Sequence, residues 1–453
     1  MRLRIHPHVM VARDGSRRVP CEIGTLEVPE NRTRPGSRTI ELAFARFAGG
    51  KQGLPLIFLE GGPGSPGLST WKELPDRYLP FLEYGEVVVF DQRGTGSSRP
   101  CLESPFTRDL PLDRAVGRAE FLAECLTKAA ATAAFWRARG VDADGYTTEQ
   151  SADDVADLMS ALGYETFRTV GGSYGSHLSL SVIRRHGDRL DRSILYAVEG
   201  PDDTFKLPSA TDRHLARLAA MAAEAPELDG RVPDLLGLME RVFDRLAKTP
   251  AEVDGVVIGE FDVKYLTTSG LGLAPFLRRL PGLYLAMDRG DCTPWAEHVR
   301  QLRTGPAEAL MPLVMDCASG ATPARLRRIE AEAAASPLGD LMNLPFPDIG
   351  AAVRGPDLGD GFRAPVRSGV PALLVNGTLD GRTPETNAHA VLKGFANGHF
   401  ILVENAAHQF AYEQPEVSAA VRDFLGGRTP SLSRARMDFA FVPDPRELAP
   451  RGF

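Results

Sequence analysis

The sequence predicts an α/β fold: a mostly parallel central sheet flanked by helices, with a helical segment inserted between two of its strands. Three observations carry that prediction. Short apolar runs closed by Gly-rich or polar loops alternate with amphipathic helical stretches, the pattern of parallel strands joined by helical crossovers. The alternation stops after about residue 203, gives way to helix-like sequence rich in Ala, Leu, Arg and Glu, and resumes after about residue 350. A chain of 453 residues, 43% hydrophobic and 25% charged, also has the length and composition for one large core plus an insertion, or for two to three small domains.

Taken in order, Ile40, Leu42 and Phe44 alternate with polar or small residues, which predicts an early half-buried strand. The runs Leu56–Leu59 and Val87–Phe90 read as central strands buried on both faces. Val155, Leu158, Met159 and Leu162 fall at i, i+3, i+4 and i+7, so 151–162 is an amphipathic helix. Strands follow at 167–170 and 194–198, with the helical run 176–185 between them. Strands resume at 372–375 and 400–403, and a helix over 415–425 closes the series. The predicted organisation is therefore residues 1–202 as the first part of the core, 203–350 as a helical cap and 351–430 as the second part of the core. Residues 431–453, with Pro443, Pro445 and Pro450, read as an extended surface tail.

Composition excludes several function classes. A net charge of −7 and a pI near 5.8 leave no basic footprint for nucleic acid. No apolar run reaches the length of a bilayer span, and the first residues lack the apolar segment of a signal peptide, which predicts a cytoplasmic protein with no membrane partner. Cys21, Cys101, Cys125, Cys292 and Cys317 have no metal-ligand spacing and read as buried thiols, with Cys101–Cys125 and Cys292–Cys317 as the pairings open to an oxidising compartment. The His6-Pro7-His8 pair reads as solvated at an unanchored terminus. No metal site is expected, and the sequence carries no signature of oligomeric state.

The chemistry lies in three loops. Gly171-Gly172-Ser173-Tyr174-Gly175 is a G-x-S-x-G placed between a strand and a helix, where the chain must reverse sharply around a strained serine. A serine hydroxyl needs a base, and the base an orienting acid. Asp380 stands in the loop after strand 372–375 and His408 in the loop after strand 400–403, giving the order Ser, Asp, His of the α/β-hydrolase fold. His399, His177 and His389 are rival bases but fall on a strand start or inside helices; Glu199 and Asp202 are rival acids. Two backbone donors must receive the oxyanion. The Tyr174 amide is one, and Gly62 or Gly61, in the loop Glu60-Gly61-Gly62-Pro63-Gly64, supplies the other.

These motifs resemble the proline iminopeptidase and tripeptidyl aminopeptidase group of α/β-hydrolases. Members typically carry H-G-G-P-G after one strand, D-Q-R-G-x-G-x-S after the next and G-G-S-Y-G at the elbow. The last two stand here as Asp91 to Ser98 and Gly171 to Gly175. The resemblance covers the hydrolase core and none of the cap, and Glu60 replaces the group's histidine. It implies a cofactor-independent exopeptidase acting on the free amino terminus of short peptides, with Glu199 and Glu60 as candidate ligands for the substrate ammonium and Asp202 and Asp203 nearby. Glu60 opposes an oxyanion unless it turns away or pairs with a cation such as Arg93. A carboxylesterase or lactonase with the same triad, acting on small esters, is the alternative, since a fold does not choose between amide and ester. A binding protein on a hydrolase scaffold is disfavoured by the intact triad, and an epoxide hydrolase or dehalogenase by Ser173 where they carry aspartate.

Overall fold

The computed structural model describes residues 2–50, 53–409 and 414–445. Its first strands are β1 (Leu3–Val11), β2 (Arg18–Pro29), β3 (Thr39–Phe47), β4 (Leu56–Leu59), β5 (Val87–Phe90), β6 (Phe167–Ser173) and β7 (Leu190–Val198). A short hairpin, β8 (Ala251–Val253) with β9 (Val256–Ile258), lies in the insertion; β10 (Ala372–Gly377), β11 (Gly398–Glu404) and β12 (Arg434–Arg436) complete the series. Ten strands form one sheet in the order β1-β2-β3-β5-β4-β6-β7-β10-β11-β12. β1, β2 and β3 run antiparallel and β3 joins β5 antiparallel, while the pairs from β5 onward are parallel.

The sheet separates two apolar layers. Along β4, Ile57 and Leu59 face one layer with Val155, Leu158 and Leu178, and Leu56 and Phe58 face the other with Trp71, Val417 and Phe424. Both faces of the central strands are thus covered by helices, which is why they read as unbroken apolar runs. Helices Thr148–Ala161 and Tyr174–His186 cover the first face and Pro415–Leu425 the second.

Three features depart from the sequence reading. His6 and His8 lie inside β1, opposite Ile23 and Cys21 of β2, so they are anchored. A long helix, Arg118–Arg137, precedes β6; it buries Phe121, Cys125, Ala129 and Ala133, and its many alanines blur the apolar stripe that marks such a helix. All five cysteines are free thiols, in agreement with the main sequence reading. The expected tail contributes β12 to the sheet edge and then crosses to the insertion, where Phe441 N–H donates to Glu227 and Val442 N–H to the Arg278 carbonyl at 2.8 Å. Residues 446–453, including Pro450, lie outside the described residues.

Between β7 and β10 the chain is a run of helices from Pro208–Glu224 to Gly359–Arg363, broken by the β8–β9 hairpin. No helix among the described residues is long and apolar enough to cross a membrane.

Candidate active site

Parallel strands deliver their loops to one edge of the sheet, and the three chemical loops follow the carboxyl ends of β6, β10 and β11. At the first, Ser173 has φ 55° and ψ −129°, a left-handed backbone for a residue with a side chain. The neighbours must be glycine: a side chain on Gly171 would strike the Gly175 carbonyl, and one on Gly175 the Leu59 carbonyl of β4. The elbow is therefore pressed against the next strand, with Ser173 capping the helix Tyr174–His186, whose first amides and dipole point at the reacting position. Ser173 Oγ makes no hydrogen bond among the described residues.

Asp380 is buried and its carboxylate is saturated. Oδ1 accepts from the Arg382 and Thr383 amides at 2.9 and 2.8 Å, Oδ2 accepts from Thr383 Oγ1 at 2.7 Å, and His408 Nδ1 lies 2.9 Å from both oxygens. Burial alone would raise the Asp380 pKa. The His408 charge and these hydrogen bonds outweigh it and hold the group below the ordinary carboxylate value. Asn376, also buried, braces this loop by accepting from Val198 N–H and donating to the Thr383 carbonyl. His408 N–H donates to the Gly272 carbonyl of the insertion at 3.1 Å.

Ser173 and His408 open on one pocket of about 410 Å³, lined also by Gly61, Gly62, Arg77 and Arg382. Among the described residues no hydrogen bond joins Ser173 to His408, although both face the same pocket. A Cβ on Gly61 would stand 3.2 Å from Ser173 Cβ, so bare backbone approaches the nucleophile there. The Asp91 to Ser98 motif holds that loop: Gln92 Nε2 donates to the Glu60 carbonyl at 3.0 Å, and Asp91 accepts from the Leu68 and Ser97 amides at 2.8 and 2.7 Å.

Glu60 pairs with Arg77 at 3.0 Å and with Tyr78 Oη at 2.7 Å, not with Arg93. Arg93 is fully buried and holds Asp154 at 2.6 and 2.7 Å together with the Glu30 and Gly145 carbonyls. Glu199 is bound by Lys206 Nζ at 2.7 Å, does not line the pocket, and sits next in chain to the strand flanking the elbow. Both expected ammonium ligands thus already hold cations. Asp202 accepts from Thr322 N–H and Oγ1 at 2.7 and 2.8 Å, and Asp203 pairs with Arg325 at 2.9 Å. His177 Nδ1 meets the Gly200 carbonyl, His399 Nε2 meets the Leu432 carbonyl and His389 packs on Phe400, so none of the three reaches the pocket.

Two groups escaped the sequence reading. Asp316, on the insertion helix Leu310–Ser319, makes no side-chain hydrogen bond or ion pair among the described residues; burial, reinforced by the Glu199 charge, lifts its pKa well above the ordinary value. The same helix rests Met315 Sδ on Tyr174 Oη and Pro312 near Gly64, directly over the elbow and the Gly61–Gly62 loop. The second group is Arg382. Neither residue belongs to a short motif, and only the folded insertion gives them a place.

His214, on the insertion helix Pro208–Glu224, packs against Gly381 of the acid loop, and its Nε2 is buried without a partner. Burial lowers its pKa to about 4, against a smaller opposing effect of Asp380. Below pH 6.5 the unfolded chain takes up a proton that folded His214 refuses, so stability falls as pH drops from about 6.5 to 4, by roughly 3 kcal/mol from this residue. Urea melts at pH 7 and 4.5 should show a shallower acid loss in His214→Gln. Equal losses in the two proteins would mean that His214 titrates alike folded and unfolded.

Residues 55–239 match the family described as alpha/beta hydrolase fold, and residues 360–435 match the family described as TAP-like protein. The chain has the α/β-hydrolase fold. Among curated relatives it is similar to a tripeptidyl aminopeptidase of Streptomyces lividans, 27% identical over 198 residues that cover 40% of this chain and 36% of that protein. It is also similar to a proline iminopeptidase of Xylella fastidiosa, 25% identical over 212 residues covering 44% of this chain and 50% of that one. The chain thus spans between about a third and a half of the length of these relatives. Among solved structures, a thermophilic esterase from Thermogutta terrifontis superposes with a TM-score of 0.37 at 20% identity, covering 89% of this chain and 98% of that one.

Proposed function

We propose that this protein is a serine aminopeptidase that removes residues from the free amino terminus of short peptides through an acyl-enzyme on Ser173. The observation that carries the reading is the strained Ser173 sharing one pocket with His408, whose Nδ1 stands 2.9 Å from the buried Asp380 carboxylate. His408 Nε2 takes the Ser173 proton as Oγ attacks the scissile carbonyl, and Asp380 keeps the imidazole in the tautomer that can do so. The amides of Tyr174 and of Gly61 or Gly62 receive the oxyanion. His408 then gives the proton to the departing amine, and water, activated by the same imidazole, releases the acyl group.

The insertion, residues 203–350, acts as the cap that closes the pocket against long chains, while residues 1–202 and 351–430 form the catalytic core. Asp316 does not line the pocket around Ser173, but its helix covers the elbow and, unlike Glu60 and Glu199, its side chain holds no cation among the described residues, so it is the acid assigned to a substrate ammonium. An arriving cation would draw its proton off and offset the cost of a buried charge.

The test compares aminoacyl and short peptidyl anilides with free and acetylated amino termini, beside a short-chain nitrophenyl ester. Acetylation is expected to lower kcat/KM by about 100-fold, the worth of a buried charge-assisted contact, and Asp316→Asn to remove most of that preference. Ester hydrolysis without anilide hydrolysis would replace this reading by a carboxylesterase or lactonase using the same triad.

A further inference from the structure

The pocket wall beside His408 carries a cation that the hydrolytic steps do not use. Arg382 follows Asp380 by two residues and lines the pocket with Ser173 and His408. Its amide is committed to Asp380 Oδ1, but its side chain has no part in the triad. The side chain is nevertheless held in place. Its stem crosses Gly272 so closely that a Cβ there would stand 2.5 Å from Arg382 Cγ, and the same glycine position faces His408 Cβ at 3.2 Å.

At its head the guanidinium has little to hold. Among the described residues its one polar contact is from Nη1 to Met342 Sδ at 3.7 Å, a weak acceptor, and no carboxylate lies within ion-pair distance. Asp316 feels the Arg382 charge through space without touching it. Arg77, which also lines the pocket, is by contrast paired with Glu60. A half-buried guanidinium with five donors and no acceptor of its own charge class is costly unless a ligand completes it, and planar carboxylate is the group its fork fits.

The side of the pocket fixes which part of a substrate meets it. His408 protonates the leaving amine, so the leaving group lies along the His408 wall, and Arg382 flanks that wall across Gly272. We propose that Arg382 anchors a carboxylate on the leaving portion of the substrate, which makes the enzyme selective for peptides whose released part begins with an anionic residue. This rests on the peptidase reading above. The carboxylate has two sources: the terminal carboxylate of a dipeptide, or the side chain of an acidic residue just after the scissile bond.

The experiment measures kcat/KM for matched pairs. Alanyl-alanine against alanyl-alaninamide reads the terminal carboxylate, and alanyl-glutamate amide against alanyl-glutamine amide reads the side chain; the prolyl counterparts are run alongside. An ester pair with the charge on the leaving phenol, meta-carboxyphenyl acetate against meta-carbamoylphenyl acetate, reads the same wall without a peptide bond. The carboxylate member of at least one pair should be favoured roughly 10- to 100-fold, the worth of hydrogen bonds to a charged group. Arg382→Gln should bring that ratio close to one and Arg382→Lys should keep part of it, whereas a merely structural role would slow both members of each pair alike. A ratio near one in the unsubstituted enzyme for every pair it hydrolyses, or a preference that survives Arg382→Gln, overturns the proposal. If no peptide is cleaved, the peptidase reading fails while the ester pair still decides the role of Arg382 by the same ratio.

Discussion

Ser173→Ala should lower kcat by about 10⁵- to 10⁶-fold for every substrate this protein turns over, with the urea midpoint left essentially in place. The rate loss follows from removing the atom that becomes bonded to the acyl group. The neutrality in stability follows from the structure, because Ser173 Oγ makes no hydrogen bond among the described residues, so its removal orphans no partner. Alanine also keeps the Cβ, so the strain at φ 55° is the same in both proteins. What remains should be the modest catalysis that positioned backbone donors give without a nucleophile. Turnover at the native rate would remove Ser173 from the chemistry and with it the whole assignment.

The parts of this molecule that the sequence made legible are those fixed by local sterics. Leu56–Leu59 and Val87–Phe90 announce buried parallel strands because nothing polar fits between two helical layers. Gly171 and Gly175 announce the elbow because a side chain on either would collide with a carbonyl. Asp380 and His408 follow because each stands in the first loop beyond such a strand. What the sequence hid depends on pairing across long separations. Arg77 answers Glu60 from a 3₁₀ turn 17 residues away that has no periodic pattern, whereas Arg93, the cation in the adjacent motif, is committed to Asp154. β12, with three residues, and the β8–β9 hairpin are too short for a period-two pattern to emerge. The alanine-rich helix Arg118–Arg137 packs through small residues and so shows no apolar stripe. Arg382 is unremarkable in sequence and acquires meaning only as part of the pocket wall, and Asp316 only on the insertion helix that covers the elbow.

Asp380→Asn tests the acid with the second largest effect, an expected fall of about 10⁴-fold in kcat near neutral pH. The Arg382 and Thr383 amides both donate to Oδ1, so the asparagine oxygen should settle there and its NH₂ at the Oδ2 position. That NH₂ then faces His408 Nδ1 and competes for it as a donor, which favours the tautomer with its proton on Nε2, the nitrogen that must accept from Ser173. The imidazolium formed in each turnover also loses the buried negative charge beside it. Stability should respond in the same experiment: a carboxyl held below its ordinary pKa contributes above about pH 4, and that contribution disappears as pH falls through the folded value. The unsubstituted protein should therefore lose more stability on acidification than the Asn variant. A small rate loss would instead pass the acid role to Glu199 or Asp202. Both are tied elsewhere, Glu199 to Lys206 and Asp202 to Thr322, so either would have to break a bond the fold already makes before it could orient His408.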